Sequence, residues 1–198
     1  MSGTASGMPQ YISGRYWVYT YKDIIKGATS SELTLSLNSI PSKIYVSFQT
    51  QPGVDANNAA VKEQSCRRIW NHQDIKQVVC NINSKPVNSG SLMVNDWTSQ
   101  KDARALYEHF IMSSGQSGFN GNPAITFDEF CTNYCFWTFD TSKSVTGMLE
   151  LHKEQANMQI LAYFASGTAF KPLRMQAFIV YDGLYTISGP MDVMKSAY

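Results

Sequence analysis

One stretch of the chain, SELTLSLNSIPSKIYVSFQT (31–50), alternates apolar and polar residues on both sides of a proline. Leucines occupy every second position before the proline, and Ile44, Val46 and Phe48 continue the same period after it. Successive side chains of a strand point to opposite faces of its sheet. The period therefore predicts two half-buried strands joined by a corner at Pro41.

Five further segments have the composition of strands. RYWVYTY (15–21) is aromatic and β-branched, and MQILAYFA (158–165) is almost continuously apolar, as a core strand is. IKQVVCNI (75–82), CFWTFD (135–140) and GMLELHKE (147–154) complete the set. Because helices do not alternate with these strands, the sequence predicts an antiparallel sandwich or barrel and not a parallel sheet.

Two segments carry turn signals. LRMQAFIVYDGLYTI (173–187) contains Asp182-Gly183, a dipeptide typical of two-residue hairpins, and we expect two strands around it. NSKPVNSG (83–90) predicts a turn after the strand at 75–82.

Two helices are predicted within the connections between strands. In TSQKDARALYEHFIMSSG (98–115), apolar residues recur at helical spacing and Ser99 is a good N-cap. In TFDEFCTNYC (126–135), Thr126 and Glu129 have the spacing of a capping box, which predicts a short second helix.

The domain organisation that we expect is simple. We expect residues 1–14 to be a flexible leader. Its first ten residues, MSGTASGMPQ, are small and polar and lack the apolar segment of a signal peptide. Residues 15–198 then form a single domain. The sequence contains no run of eighteen apolar residues, so we expect no membrane span.

Composition and charge exclude some classes of partner. The chain has 198 residues, of which 43% are apolar and 16% charged, as expected for a folded domain. Its formal net charge is +1 and its 16 basic residues form no block. Nucleic-acid binding normally requires a basic stripe, so we expect no direct contact with nucleic acid.

The sequence offers no arrangement that indicates catalysis, a metal or a cofactor. His72, His109 and His152 are isolated and cannot complete a zinc site with the four cysteines, which we expect to be free thiols. GQSGF (115–119) lacks the second glycine of a nucleophile elbow. We therefore predict that the chain is not an enzyme.

A long polar connection, QPGVDANNAAVKEQSCRRIWNH (51–72), interrupts the strand pattern. Connections of this length usually have a function or form contacts. Trp70 lies inside it and is the tryptophan that we expect to be exposed for such a contact.

Several motifs occur in a familiar order. NINSKPV contains Asn83-Ser84-Lys85-Pro86, WTFDTS ends in the tetrad 139–142, and GMLEL (147–151) and FIVY (178–181) follow. In this order they resemble the C-terminal half of the double jelly-roll major capsid proteins of polinton-like elements, virophages and related large DNA viruses. That family usually has glycine where Ser84 stands here, and a leucine in the tetrad that this chain lacks.

The resemblance implies a fold and a function. The fold would be all-β, an antiparallel jelly-roll sandwich of about eight strands with one or two short helices in the connections. The chain is long enough for one roll only. It would be a structural virion protein without cofactors, located in the capsid, and it would form homotrimeric capsomers that contact capsid neighbours and a second jelly roll.

The resemblance also indicates where contacts would lie. Family members use long loops at the top of the roll for the trimer seams, and these correspond to residues 51–72 and 116–123. The candidate interface residues are Asp55, Asn57, Arg67, Arg68, Trp70, Phe119 and Asn120.

Two other functions remain open at this point. A carbohydrate-binding jelly roll could stack Trp70 and loop tyrosines on sugar rings, because one fold supports many functions. An enzyme on a β-sandwich is the weakest alternative, since histidines, cysteines and carboxylates do not cluster in the sequence.

Overall fold

The computed structural model describes residues 10–51, 70, 72–87, 92–98, 100–114, 124–141, 155–167, 169, 171–187 and 195–196. Strands dominate these residues. In chain order the elements are β1 (Gln10–Ile24), β2 (Ser30–Leu37), β3 (Lys43–Thr50), β4 (Ile75–Ile82), β5 (Lys85–Pro86), α1 (Gln100–Ser114), α2 (Phe127–Asn133), β6 (Phe136–Asp140), β7 (Ala156–Phe164), β8 (Leu173–Ile187) and β9 (Lys195–Ser196).

The strands form two sheets in jelly-roll order. The first sheet runs β1-β8-β3-β6, with β9 paired to β8, and the second runs β2-β7-β4-β5. Every pairing between these strands is antiparallel. The prediction of an all-β antiparallel jelly-roll sandwich is confirmed.

The proline corner carries the chain from one sheet to the other. β2 belongs to the second sheet and β3 to the first, so the two alternating strands are not neighbours. Hydrogen bonds hold the corner: Ser42 N–H donates to the Val180 carbonyl at 2.7 Å, and the Thr141 hydroxyl donates to the Pro41 carbonyl. Each strand can therefore bury one face in the same core from opposite sides.

The core lies between the two sheets. Ile44, Val46 and Phe48 of β3 are fully buried, as their spacing predicts, and Met158 and Ile160 of β7 face them from the second sheet. Full burial of such side chains contributes about 1.5–3 kcal/mol each. The sandwich is thus held chiefly by apolar burial between layers.

The hairpin predicted at Asp182-Gly183 is wrong. β8 continues through both residues, with Asp182 opposite Arg15 and Gly183 opposite Gly14 of β1. β1 offers β8 a pairing partner along its whole length, and the ladder satisfies backbone groups on both sides of the dipeptide. The turn preference of the Asp182-Gly183 dipeptide therefore contributes less stabilisation than its pairing with β1.

A two-residue hairpin lies instead at Asn83-Ser84, within the turn predicted at 83–90. It joins β4 to β5, and both central residues have positive φ, 50° for Asn83 and 62° for Ser84. These angles are those of hairpin turns in which Asn-Gly is preferred. They give a physical reason for glycine at the position of Ser84 in the family that the sequence resembles.

Both predicted helices are present. The Thr126–Glu129 capping box is confirmed: the Glu129 carboxylate accepts from Thr126 N–H at 2.9 Å, and Thr126 Oγ1 accepts from Glu129 N–H at 3.3 Å. Ser99, the predicted N-cap of α1, lies outside the described residues.

Two predicted strands remain to be compared with the structure. β1 begins at Gln10, five residues before the strand predicted at Arg15 and inside the predicted leader (1–14). The strand predicted at 147–154 lies outside the described residues.

We expect Ser84→Gly to stabilise the protein. A residue with a Cβ is strained at a φ of 62°, and glycine relieves this strain by about 0.5–1 kcal/mol. Urea unfolding followed by circular dichroism measures the change. Ser84→Ala, which keeps the Cβ, should give no such gain; equal stabilisation by both variants would contradict the explanation.

We expect Thr126→Ala to destabilise the protein by about 1 kcal/mol, because the N-cap hydroxyl and its hydrogen bond to Glu129 are lost. Thermal unfolding measures the loss. Thr132→Ala is the matched control: it removes the same atoms from the last turn of α2, where the hydroxyl donates to the Asp128 carbonyl and caps nothing. An equal loss in both variants would show that the cap has no special role.

Candidate functional site

The outer face of the first sheet is lined with aromatic side chains. Strand pairing aligns them: Tyr19 of β1 lies opposite Phe178 of β8, which lies opposite Tyr45 of β3. The Tyr19 and Phe178 rings are in contact, with centroids 5.3 Å apart. We call this surface the aromatic face; its members are Trp17, Tyr19, Tyr21, Tyr45, Phe136 and Phe178.

Trp70 stands on this face. Its backbone N–H donates to the Asn133 carbonyl at 3.1 Å, and its carbonyl accepts from Cys135 N–H at 2.7 Å. Its indole N–H donates to Gln176 Oε1 at 2.9 Å, and its ring lies 5.2 Å from that of Phe136. The side chain is half-buried, so part of the expected contact surface of Trp70 is used within the chain.

Two clefts adjoin Trp70 and Phe178. The larger, of about 450 Å³, lies among Trp17, Tyr45 and Phe110, with Arg15 at its side. The second, of about 410 Å³, is lined by Tyr19, Gln49, Trp70, Gln176 and Phe178. The clefts therefore combine flat apolar rings with a few amide and guanidinium groups.

The helices cover one side of the aromatic face. Phe110 of α1 stacks on Phe136 with centroids 6.2 Å apart, and Lys43 Nζ donates to the Ser113 carbonyl at 2.6 Å. Tyr107 ties α1 to the residue before α2 by donating to the Ile125 carbonyl at 2.6 Å. The side formed by β6 and β3 is thus packed, whereas the β1 side stays open to solvent.

The side chains of residues 15–19 of β1 are exposed on both faces of the strand. On the aromatic face Trp17 is 58% exposed and Tyr19 49%. On the opposite face Tyr16 is 44% exposed, although it stacks on Tyr181 with centroids 4.9 Å apart, and Val18 is 41% exposed. A strand with this much apolar surface on both sides is suited to contact with another protein surface.

Ion pairs lie at both ends of the segment 15–23 of β1. Arg15 Nε donates to Asp182 at 2.7 Å, and Arg174 binds Asp23 through two nitrogens at 2.7 and 3.1 Å. The Arg174 guanidinium also lies over the Tyr21 ring, 4.2 Å from its centroid. Arg15 and Asp23 are thus each paired with an opposite charge on β8.

Burial raises the pKa of several phenols and thiols away from neutral pH. Partial burial raises the pKa of Tyr19 and Tyr45, and burial beside Tyr16 raises the pKa of Tyr181 to about 12. Burial likewise raises the pKa of the Cys80 thiol to about 12 and that of Cys135 well above its usual value.

The described cysteines, Cys80, Cys131 and Cys135, are free thiols, as expected. His72 is held against Trp97, with centroids 4.5 Å apart, and burial lowers its pKa. Within the described ranges, no three His, Cys, Asp or Glu side chains lie close enough to hold a metal ion. No helix among those described is long and apolar enough to cross a membrane.

Of the candidate interface residues named from the sequence, Trp70 alone lies in the part of the chain that the structure describes. Sequence reasoning missed the aromatic face itself. The signal was weak because RYWVYTY is aromatic at odd and even positions, so no alternation identifies an outer face. The predicted interface residues outside the described part of the chain are Asp55, Asn57, Arg67, Arg68, Phe119 and Asn120.

Comparison with families and with curated proteins finds no relative: no family model and no curated protein matches the sequence. Solved structures do match. A chain in the cryo-EM structure of the Sputnik virophage is 18% identical with a TM-score of 0.52, and the match covers 96% of this chain and 38% of that one. A chain of the PBCV-1 virus capsid is 8% identical with a TM-score of 0.50, covering 96% of this chain and 52% of that one.

A third match, the mavirus major capsid protein, has 15% identity and a TM-score of 0.44, covering 94% of this chain and 42% of that one. This chain therefore spans between 38% and 52% of the length of the three chains that it matches. Its fold is a single jelly roll similar to part of a chain in the Sputnik and PBCV-1 structures.

Proposed function

We propose that this chain is a structural protein of a viral capsid and that it acts by contact with other protein subunits. The observation that carries the proposal is the fold: 96% of the chain matches part of a Sputnik chain and part of a PBCV-1 capsid chain. The chain resides in the virion on this proposal, and it performs no reaction.

The aromatic face supports this function on physical grounds. Aromatic rings bury large areas and are enriched at the centres of protein interfaces. Arg15 and Arg174 are already paired with Asp182 and Asp23. A partner that covers the face therefore removes rings from water without leaving a new unpaired charge there.

The assembly that we propose is a homotrimer, and a second jelly roll completes each unit. The share of the matched chains that this chain spans, 38% and 52%, supports a second roll. The candidate contact loops are 51–72 and 116–123, with Asp55, Asn57, Arg67, Arg68, Phe119 and Asn120 as their contact residues. Trp70 joins the first of these loops to the aromatic face.

Light scattering coupled to size-exclusion chromatography tests the assembly. We expect a mass of three chains, or a multiple of three, at high concentration. We also expect at least a roughly tenfold weaker association of Trp17→Ser, because an exposed ring at an interface centre is lost. Met93→Ser is the control, since Met93 is also exposed but lies outside the aromatic face. A protein that stays monomeric at every concentration, alone and mixed with a candidate second roll, would overturn the proposal.

A second candidate function is carbohydrate binding in the larger cleft. The observation that favours it is the set of rings at its walls, Trp17, Tyr45 and Trp70, with the Arg15 guanidinium beside them. Sugars stack on such rings and hydrogen-bond to such polar groups.

A glycan array tests this second function. If the cleft binds sugars, the protein gives signals that Tyr45→Ala loses, whereas Tyr163→Ala, an exposed tyrosine of the second sheet, keeps them. The absence of any signal across the array would remove carbohydrate binding as a function.

A further inference from the structure

β1 is an edge strand with an unusual composition. Among the described strands it pairs with β8 alone and lies at the end of the first sheet. Protein edges are usually protected by short length, by proline or by inward-pointing charges. β1 has 15 residues and no proline, and its central part exposes large apolar side chains on both faces.

The sequence of β1 is self-complementary about Tyr19. If two copies of RYWVYTYKD (15–23) are placed antiparallel with Tyr19 opposite Tyr19, aromatic Trp17 lies opposite Tyr21. Val18 then lies opposite Thr20, and both are β-branched. Cross-strand aromatic pairs and β-branched pairs are favourable in antiparallel sheets. The partners are also on matching faces, because residues directly opposite one another share a face.

The charges fit the same register. Arg15 of one copy lies opposite Asp23 of the other, at both ends of the paired segment. Each of these charges is also paired with β8 of its own copy. Across the four strands, each end of the segment is therefore a row of alternating charges: Asp182 and Arg15 from one copy, then Asp23 and Arg174 from the other. A shift of one residue would place Asp23 opposite an uncharged residue. It would also place residues of the aromatic face opposite residues of the other face of the sheet, so the register centred on Tyr19 is favoured.

We propose that a second copy of this chain docks on β1, by antiparallel pairing of the two β1 edges about a twofold axis at Tyr19. The interface is isologous, since the same patch serves both copies. It joins the first sheets of two copies into one continuous sheet and pairs the backbone groups of residues 15–23. The proposal rests on β1 itself and does not depend on a capsid role.

Cysteine cross-linking tests the axis. In Tyr19→Cys the two introduced thiols lie opposite each other, with Cα atoms about 4.5–5.5 Å apart, within the range that a disulfide spans. We expect mild oxidation to give a covalent dimer. In Tyr21→Cys the two thiols are about 13 Å apart along the strands, so that variant alone should not cross-link, whereas a mixture of Trp17→Cys and Tyr21→Cys should.

The wild-type chain is oxidised in parallel, because it has cysteines of its own, two of the described ones being buried. No Tyr19→Cys dimer above the wild-type level would overturn the proposal. The proposal would also be overturned if Tyr21→Cys, oxidised by itself, gave as much covalent dimer as Tyr19→Cys, since the two strands would then pair in another register.

Charge exchange provides an independent test. Arg15→Asp alone and Asp23→Arg alone place like charges opposite each other at both ends of the paired segment. Each should raise the dimer dissociation constant at least about tenfold. Mixed together, the two variants again have opposite charges at both ends, and we expect heterodimers of about wild-type affinity in sedimentation experiments. Lys85→Asp, in the second sheet, makes the same charge change as Arg15→Asp and should have no effect.

Circular dichroism checks that each variant is folded, since each also loses an ion pair with β8. Folded variants that fail to form heterodimers would contradict the proposal. The outcomes also separate this inference from the proposed function. Trimers without the Tyr19 cross-link would overturn the inference alone, and cross-linked dimers that form no larger assembly would overturn the trimer alone.

Discussion

The pairing of β1 with β8 is the interaction on which the rest of the structure depends. Fifteen residues of each strand are aligned without interruption, from Gln10–Ile187 to Ile24–Leu173. This ladder places Tyr19 beside Phe178, which creates the aromatic face. It also brings Arg15 to Asp182 and Asp23 to Arg174, so that each end of the segment 15–23 has a charge pair. On its other edge β8 pairs with β3, which buries Ile44, Val46 and Phe48 in the core.

The strands around the proline corner could be predicted because their information is local. Ile44, Val46 and Phe48 alternate with polar residues, and the structure buries all three. The Thr126–Glu129 box is local as well, since its atoms lie within four residues of one another. The hairpin at Asp182-Gly183 failed for the opposite reason. A partner strand more than 150 residues away decides the conformation there, as the separation of 167 between Arg15 and Asp182 shows.

The candidate site was harder to predict than the fold. Trp70 was selected because it is a large ring in a polar loop, and the structure places it beside Gln176 and Phe136, where part of its surface is used internally. The aromatic face depends on which neighbours each strand has. Trp17 and Tyr45 are stacked, with centroids 5.8 Å apart, but they come from strands separated by β8. Sequence order alone gives no sign that these two rings meet.

The distance along the chain between β1 and β8 has a consequence for synthesis. β1 is made before β8, its only partner among the described strands, and the second sheet is translated between the two. During that interval Trp17, Tyr19 and Tyr21 belong to a nascent strand with no ladder, and contacts between such distant segments form slowly. Exposed strands of this kind associate wrongly at high concentration. The yield of folded protein in a cell will therefore depend on translation speed and on chaperones that shield β1 until β8 has been translated.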